Sequence, residues 1–385
     1  MKIISYASVL IILLTIAGCI EKFTPSTVET QFNLVVDGLI TNQPEVYKVR
    51  LSWSIPLGIN TTVPLGGCDI TVHDDLGHSY QFAESSTPGT YISDTTTFQG
   101  EIGRIYTLHI NTNNATPTHY SYESVPVKMK AVPPIDSLYY EKVIIKESTQ
   151  VSDVEEGCQI YLNTYDPDGN CRFYRWDYTE TWKFQIPYNI YPNQVCWISN
   201  NSKNISIKST SILSEDRLNR YPILFISNLT DRLSLRYSVL INQYSISEEE
   251  FTYWEMLQSI SQDVGGLYEI IPFSIPSNIF CVEDPGEQVL GYFSVSARTS
   301  KRIYIDERFE GLVNPYFMCQ IDTSMYKYKE KIHGLNETQW IIYEFHGIGP
   351  LGRWEDIIIT TFHRWCVDCS VRGTTTRPEF WEDFK

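Results

Sequence analysis

The chemistry this sequence could perform rests mainly with nine cysteines, seven histidines and a surplus of acids, and their spacing separates them into different uses. Cys19 stands apart from the rest. It ends Ile16-Ala17-Gly18-Cys19, an aliphatic residue and two small ones before a cysteine, the pattern of a lipoprotein cleavage site. Ahead of it lie Lys2 and the apolar run Val9 to Leu14. That run falls short of the ~20 residues a membrane-spanning helix needs, so residues 1–18 read as a signal peptide removed on export. The freed Cys19 would carry a diacylglyceryl group on its thiol and a third, palmitate-class chain on its amine. Each buried methylene contributes about 0.8 kcal/mol, so two or three chains hold a protein at a membrane almost permanently.

The other eight cysteines, Cys68, Cys158, Cys171, Cys196, Cys281, Cys319, Cys366 and Cys369, form an even set in an exported chain and are disulfide candidates. Cys366-Val-Asp-Cys369 with His363 nearby is half of a zinc knuckle. A structural zinc site needs a second such pair, and the sequence has none, so a disulfide-stapled carboxyl terminus is expected, with no metal. A thioredoxin-like role fits less well, because this segment opens no helix of a βαβ unit. The histidines form no His-Glu-x-x-His helix, although His333, His346 and His363 lie near one another in the chain. No Gly-x-Ser-x-Gly elbow is present. Paired acids for glycoside hydrolysis need no sequence signature, and 46 acids make accidental pairs common. Asp166, Asp168 and Asn170 resemble the start of a calcium loop, but Gly169 comes too early and the closing Glu is missing, so a β-turn is expected. No catalytic residue and no cofactor follow from these patterns.

Composition narrows the partners. The chain has 385 residues, 30 basic against 46 acidic, and a net charge of −16. A phosphate backbone needs a basic face to replace its counterions, so nucleic acid is excluded. Hydrophobic residues at 42% make the chain globular, and 26 Tyr within a 14% aromatic fraction favour β-structure or a stacking surface.

The elements that would position these residues are mostly short strands. Residues 19–29 are polar, contain Pro25 and read as a tether. Residues 30–130 alternate over about seven strands with turn signals between them, the spacing of an immunoglobulin-like β-sandwich. Val132-Pro-Pro-Ile-Asp136 reads as a rigid linker. Residues 131–385 then form a larger β-rich domain. Its long strand from Phe173 to Phe184 places Tyr174, Trp176, Tyr178, Trp182 and Phe184 on one face, interrupted by Glu180, with Arg175, Asp177 and Thr179 opposite. A half-buried sandwich strand explains that pattern, with Tyr174, Trp176, Tyr178 and Trp182 as ligand-contact candidates wherever they are exposed. Ser247-Glu-Glu-Glu250 is a capping box for a helical insertion over about 247–264, with Phe251, Trp254, Leu257, Ile260 and Val264 as its apolar stripe and Gly265-Gly266 as its stop. Residues 291–298 and 301–306 alternate as strands, expected to pair as a hairpin.

With these segments in place the chain resembles a lipoprotein family of Bacteroidota, domain of unknown function 4249. The matching residues are the lipobox; Leu34-Val-Val-Asp-Gly-Leu-Ile-Thr-Asn42; Val132 to Ser137; Gln243 to Phe251 with Tyr253-Trp254; Pro276-Ser-Asn-Ile279; Val289 to Ser294; Cys366 to Gly373; and Arg377 to Trp381. The similarity is expected over nearly the whole mature chain. It implies an outer-membrane lipoprotein, often encoded beside a TonB-dependent transporter, with no catalytic residues to carry over.

Two readings of function follow, and a third has less behind it. The first is a non-enzymatic outer-membrane lipoprotein, held by its lipid at either the periplasmic or the surface face, that binds a ligand or docks on a TonB-dependent transporter. The second is a structural or assembly factor of the envelope. The third is a glycan-acting hydrolase, favoured only by the abundant aromatics.

Overall fold

A computed structural model describes residues 32–55, 62–112, 116, 119–146, 154–188, 193–262, 275–309, 312, 314, 316–319, 340–348, 353–361 and 363–382. The signal segment, Cys19, the tether and the Gly265-Gly266 stop lie outside them. The chain is mainly β. In order come β1 (Leu34–Ile40), β2 (Lys48–Trp53), β3 (Val63–Pro64), β4 (Asp69–Asp74), β5 (Ser79–Glu84), β6 (Thr90–Ser93), β7 (Ile105–Asn111), β8 (Ser121–Ser124) and β9 (Val127–Lys128). Then follow β10 (Ile135–Lys146), β11 (Val154–Asp166), β12 (Phe173–Gln185), β13 (Val195–Asn201), β14 (Ser206–Ser209), β15 (Asp216–Ser227) and β16 (Arg236–Ser245). Last are α1 (Glu248–Gln262), β17 (Ile279–Cys281), β18 (Leu290–Val295), β19 (Arg298–Ile305), β20 (Trp340–Ile348) and β21 (Trp354–Thr361).

Strands β1 to β9 lie in one hydrogen-bonded sheet, not in two separate ones, and β17 and β18 complete it to eleven strands. The alternation of β1 shows why it forms here: Leu34, Val36 and Ile40 are buried while Asp37 is exposed. β17 pairs with β8 at one end of the sheet, and β18 lies parallel to β1 at the other. Asn278, just before β17, joins those two ends. Its side-chain Nδ2 donates to the Phe293 carbonyl at 2.8 Å, and its Oδ1 accepts from the Phe293 N–H at 2.9 Å. One buried amide thereby replaces a pair of ladder bonds and brings the sheet near to a closed barrel.

The expected boundary at residue 130 therefore fails in space. Ile279, Cys281, Val289, Phe293 and Val295 share a core with Leu34, Val36, Ile70 and Leu108. A parallel strand needs a long crossover, and the chain from β2 to β17, which includes β10 to β16 of the second sheet system, supplies it. The expected 291–306 hairpin is corrected for the same reason. β18 joins the first sheet, whereas β19 pairs with β16 in another. Gly291 makes the first placement possible: its φ is +88°, and a Cβ there would overlap the Val36 carbonyl.

The second module packs β10-β11-β15 against a five-stranded sheet of β13, β14, β12, β16 and β19. Their facing side chains, among them Ile160, Leu162, Trp176, Tyr237 and Ile241, form a second core. Gln243 is buried there and ties the linker in, donating to the Pro133 carbonyl at 2.9 Å and to Thr164 Oγ1 at 3.0 Å. α1 follows β16 directly. Its Ser247 cap forms, with Oγ accepting from the Glu250 N–H at 3.1 Å, but the Glu250 carboxylate turns elsewhere.

Candidate functional site

The parity of β12 decides which of its side chains can meet a ligand. Even-numbered residues point between the two sheets, so Tyr174, Trp176, Trp182 and Phe184 are buried in the core. Tyr174 Oη donates to the buried Asp216 at 2.9 Å, and Trp176 Nε1 donates to Gln243 Oε1 at 3.0 Å. Tyr174, Trp176 and Trp182, named as ligand-contact candidates wherever exposed, therefore present no exposed ring: apolar burial holds them in the sandwich interior. Tyr178 is half-buried and borders a cleft, as does Trp176. Glu180, on the same inner face, accepts from Tyr237 Oη at 2.8 Å and pairs with Arg232 at 2.9 Å. Burial, with that carboxylate beside it, pushes the Tyr237 phenol well above its ordinary value.

The odd-numbered face builds the cleft, which has a volume of about 440 Å³. Register aligns Asp177 with Asn242 on β16, and Asn242 with Ser300 on β19. Ser300 Oγ donates to Asn242 Oδ1 at 2.7 Å, and Asn242 Nδ2 donates to Asp177 Oδ1 at 2.7 Å. Tyr244 Oη donates to the other Asp177 oxygen at 2.8 Å, so each carboxylate oxygen accepts a hydrogen bond. Burial raises the Tyr244 phenol, helped by the Asp177 charge. On the other side of β12, the β13–β14 connection is clasped by the Ser202 N–H on the Tyr178 carbonyl at 2.8 Å and by the Tyr178 N–H on Ser202 Oγ at 3.2 Å. Gln258 of α1 donates to the Ile205 carbonyl at 2.7 Å, which fixes helix to loop.

Arg175 and Trp254 complete the walls. The Arg175 guanidinium lies 4.7 Å from the Tyr244 ring centroid and 4.7 Å from that of Trp254. Its Nε is buried without a hydrogen-bond partner, and among the described residues Arg175 forms no ion pair. The cleft lining contains no histidine or cysteine and a single carboxylate, Asp177. It offers hydrogen bonds, a cation and an aromatic wall. Sequence reading missed Arg175 and Trp254 as a pair, because they lie far apart in the chain and only the β12–β16 register brings α1 over β12.

The cysteines divide equally. Cys196 pairs with Cys369 and Cys319 with Cys366, so Cys366 and Cys369 staple the tail to two different segments, and neither is available to a metal. Cys68, Cys158, Cys171 and Cys281 are buried free thiols, so four of the eight disulfide candidates pair and four do not. Buried free cysteines behave as small hydrophobes with a weak S–H donor, which Cys171 turns to the Phe173 carbonyl and Cys281 to the Glu283 carboxylate. Among the described residues no group of three or more His, Cys, Asp or Glu could hold a metal ion. Asp166 closes a turn: its carboxylate accepts from the N–H groups of Asp168, Asn170 and Cys171. His363 stacks on Trp365, whereas His333 lies outside the described residues.

A model of a protein family, a domain of unknown function (DUF4249), matches residues 20–302. The chain belongs to the DUF4249 family. The DUF4249 match takes in the near-closed first sheet, β12, α1 and the whole cleft. It ends within β19, so the Cys366 to Gly373 and Arg377 to Trp381 motifs fall beyond it, and the expected similarity over nearly the whole chain is narrowed to that span. No curated protein matches the chain.

Proposed function

We propose that this DUF4249 protein is a lipid-anchored outer-membrane lipoprotein that acts by binding, taking a ligand in the β12 cleft, docking on a TonB-dependent transporter, or both. The cleft supports the binding half of the reading most directly. It holds Asp177, Asn242 and Tyr244 in a fixed hydrogen-bonded row beside a guanidinium that has no internal counterion. Fixed polar groups beside an aromatic wall orient a ligand, and the lining has neither histidine nor cysteine to act as base or nucleophile. The anchor half rests on the lipobox at Ile16 to Cys19 and the polar tether behind it. A tethered binder raises the ligand concentration at a neighbouring transporter. The immunoglobulin-like reading of residues 30–130 belongs to the same proposal, with opposite arcs of the curled first sheet enclosing one core.

Fractionation of a Cys19→Ser variant tests the anchor. Release from the outer membrane is expected, and retention at wild-type levels overturns it. Co-purification from detergent-solubilised membranes tests the docking: a barrel transporter in stoichiometric amount supports it, and a structural envelope protein in its place moves the reading to assembly.

A further inference from the structure

Arginines taken partly out of water in this protein meet an acceptor: Arg302 donates to Ser238 Oγ and Arg172 to the carbonyls of Gly169, Thr210 and Leu213, and others meet a carboxylate. Arg232 pairs with Glu180, Arg236 with Asp306, Arg298 with Glu45 and Arg372 with Asp231, each within 2.9 Å. Arg175 does not. Asp177, on the same face of β12, accepts from Asn242 at one oxygen and Tyr244 at the other and forms no ion pair with Arg175. A guanidinium taken partly out of water loses hydration, and two flanking rings offset only part of that loss. The group that would offset the rest is an anion entering the cleft.

The geometry points to a carboxylate-bearing, hydroxylated ligand of the acidic-sugar type, its carboxylate received by Arg175 and its ring set against Trp254. This deepens the binding reading above and rests on it. Three observations define the ligand class. Lys203 is exposed on the cleft lining and adds a second cation. Asn201, Ser202 and Asn204 line the same cleft and suit hydroxyl groups. The chain carries a net charge of −16, whose long-range field repels polyanions and dianions more than a single carboxylate. A planar guanidinium also matches a carboxylate with two parallel bonds.

Calorimetric titration of the detergent-solubilised full chain with sodium D-glucuronate tests this, with D-glucose and inorganic phosphate as comparisons. Saturable glucuronate binding is expected, with glucose and phosphate weaker by about tenfold or more. Arg175→Met should weaken glucuronate binding about ten- to hundredfold, because a charge-assisted pair is lost. Arg302→Met, which removes a guanidinium lying over Phe380 outside the cleft, should leave it unchanged. Lys203→Glu, at an exposed position that does not threaten folding, should also weaken it and keeps the test decisive if Arg175→Met misfolds. Absence of glucuronate binding, or binding indifferent to both Arg175→Met and Lys203→Glu, overturns the inference. Glucose binding as tightly as glucuronate removes the anion and leaves a ligand-binding cleft standing, so the two readings fail separately.

Discussion

Glu250 and Trp254 meet across one turn of α1: the indole Nε1 donates to Glu250 Oε1 at 3.1 Å, and the same oxygen accepts from Ser294 Oγ of β18 at 2.7 Å. The carboxylate is completely buried, and it links the strand that completes the first sheet to the aromatic wall of the cleft in the second module. Glu250→Leu leaves the indole and the serine hydroxyl unpaired. The loss is expected to be about 1–3 kcal/mol, since removing a buried carboxyl group returns part of its desolvation cost. Urea denaturation measures that loss, and Trp fluorescence in the folded state should show the indole released. Glu250→Gln, which keeps an acceptor oxygen, should cost less.

Asn278 gives a sharper test of the first sheet. Its amide bonds to both the N–H and the carbonyl of Phe293. Asn278→Leu would leave those two buried backbone groups unpaired at the one place where β17 meets β18. A loss of about 2–4 kcal/mol is expected from two unpaired groups. Hydrogen exchange should localise the opening to β18 and β17, with β12 and β16 unchanged. Uniform loss of protection across both modules would contradict a local clasp.

What could be read from the sequence depended on the range of the contact. The turn at Asp74 to Gly77, one of the turn signals between the strands of residues 30–130, rests on local contacts, with Gly77 at φ +86° and Asp74 Oδ1 accepting from the N–H groups of Leu76 and His78. The helix expected near 247–264 is found at Glu248–Gln262, because its cap is local. The two faces of β12 follow from period-two alternation alone. Parity does not say which face is inner, and the aromatic face went inward because a second sheet covers it. The path of β18 was hidden for a different reason. Gly291-Tyr-Phe-Ser and Lys301-Arg-Ile-Tyr alternate like a hairpin, and the partner that decides the matter, Val36, lies at the other end of the chain. The cleft needs β12, the 202–206 loop and Trp254 together, and no local pattern specifies that meeting.

The cysteines give a count that separates two pictures. Burial pushes the Cys68 thiol up to about 11 and the Cys158 and Cys171 thiols up to about 12, so each stays protonated and inert at neutral pH. Cys281 is buried and raised as well. Alkylation of the folded, acylated protein at pH 8 should therefore modify almost none of the eight. Denaturation without reductant should expose four, and denaturation with reductant all eight. Eight thiols without reductant would remove both bridges, and none would mean that Cys68, Cys158, Cys171 and Cys281 pair as well.

Acid should loosen the carboxyl-terminal tail at a definite point. Asp368 is held down at about 2, chiefly by the Ser370 hydroxyl, with the Ser370 N–H, Asn193 and Arg364 adding to it. Its ordinary value is 3.8, so the folded state favours the charged form. A carboxylate depressed on folding stabilises fully above its unfolded value, and that contribution fades as pH falls from about 4 towards about 2. The turn it caps carries Cys369, whose bridge to Cys196 keeps the tail attached, so the change is local fraying and not release. Beside it, Gly373 passes so close to Trp197 and Phe184 that a Cβ would meet the Trp197 carbonyl at 2.5 Å. Tail amide exchange, corrected for the intrinsic acid dependence of exchange, should accelerate between pH 4 and 2 relative to β12. In Asp368→Asn the tail should be less protected at pH 6 and should lack that step. An unchanged step in the Asn variant would assign it to another acid.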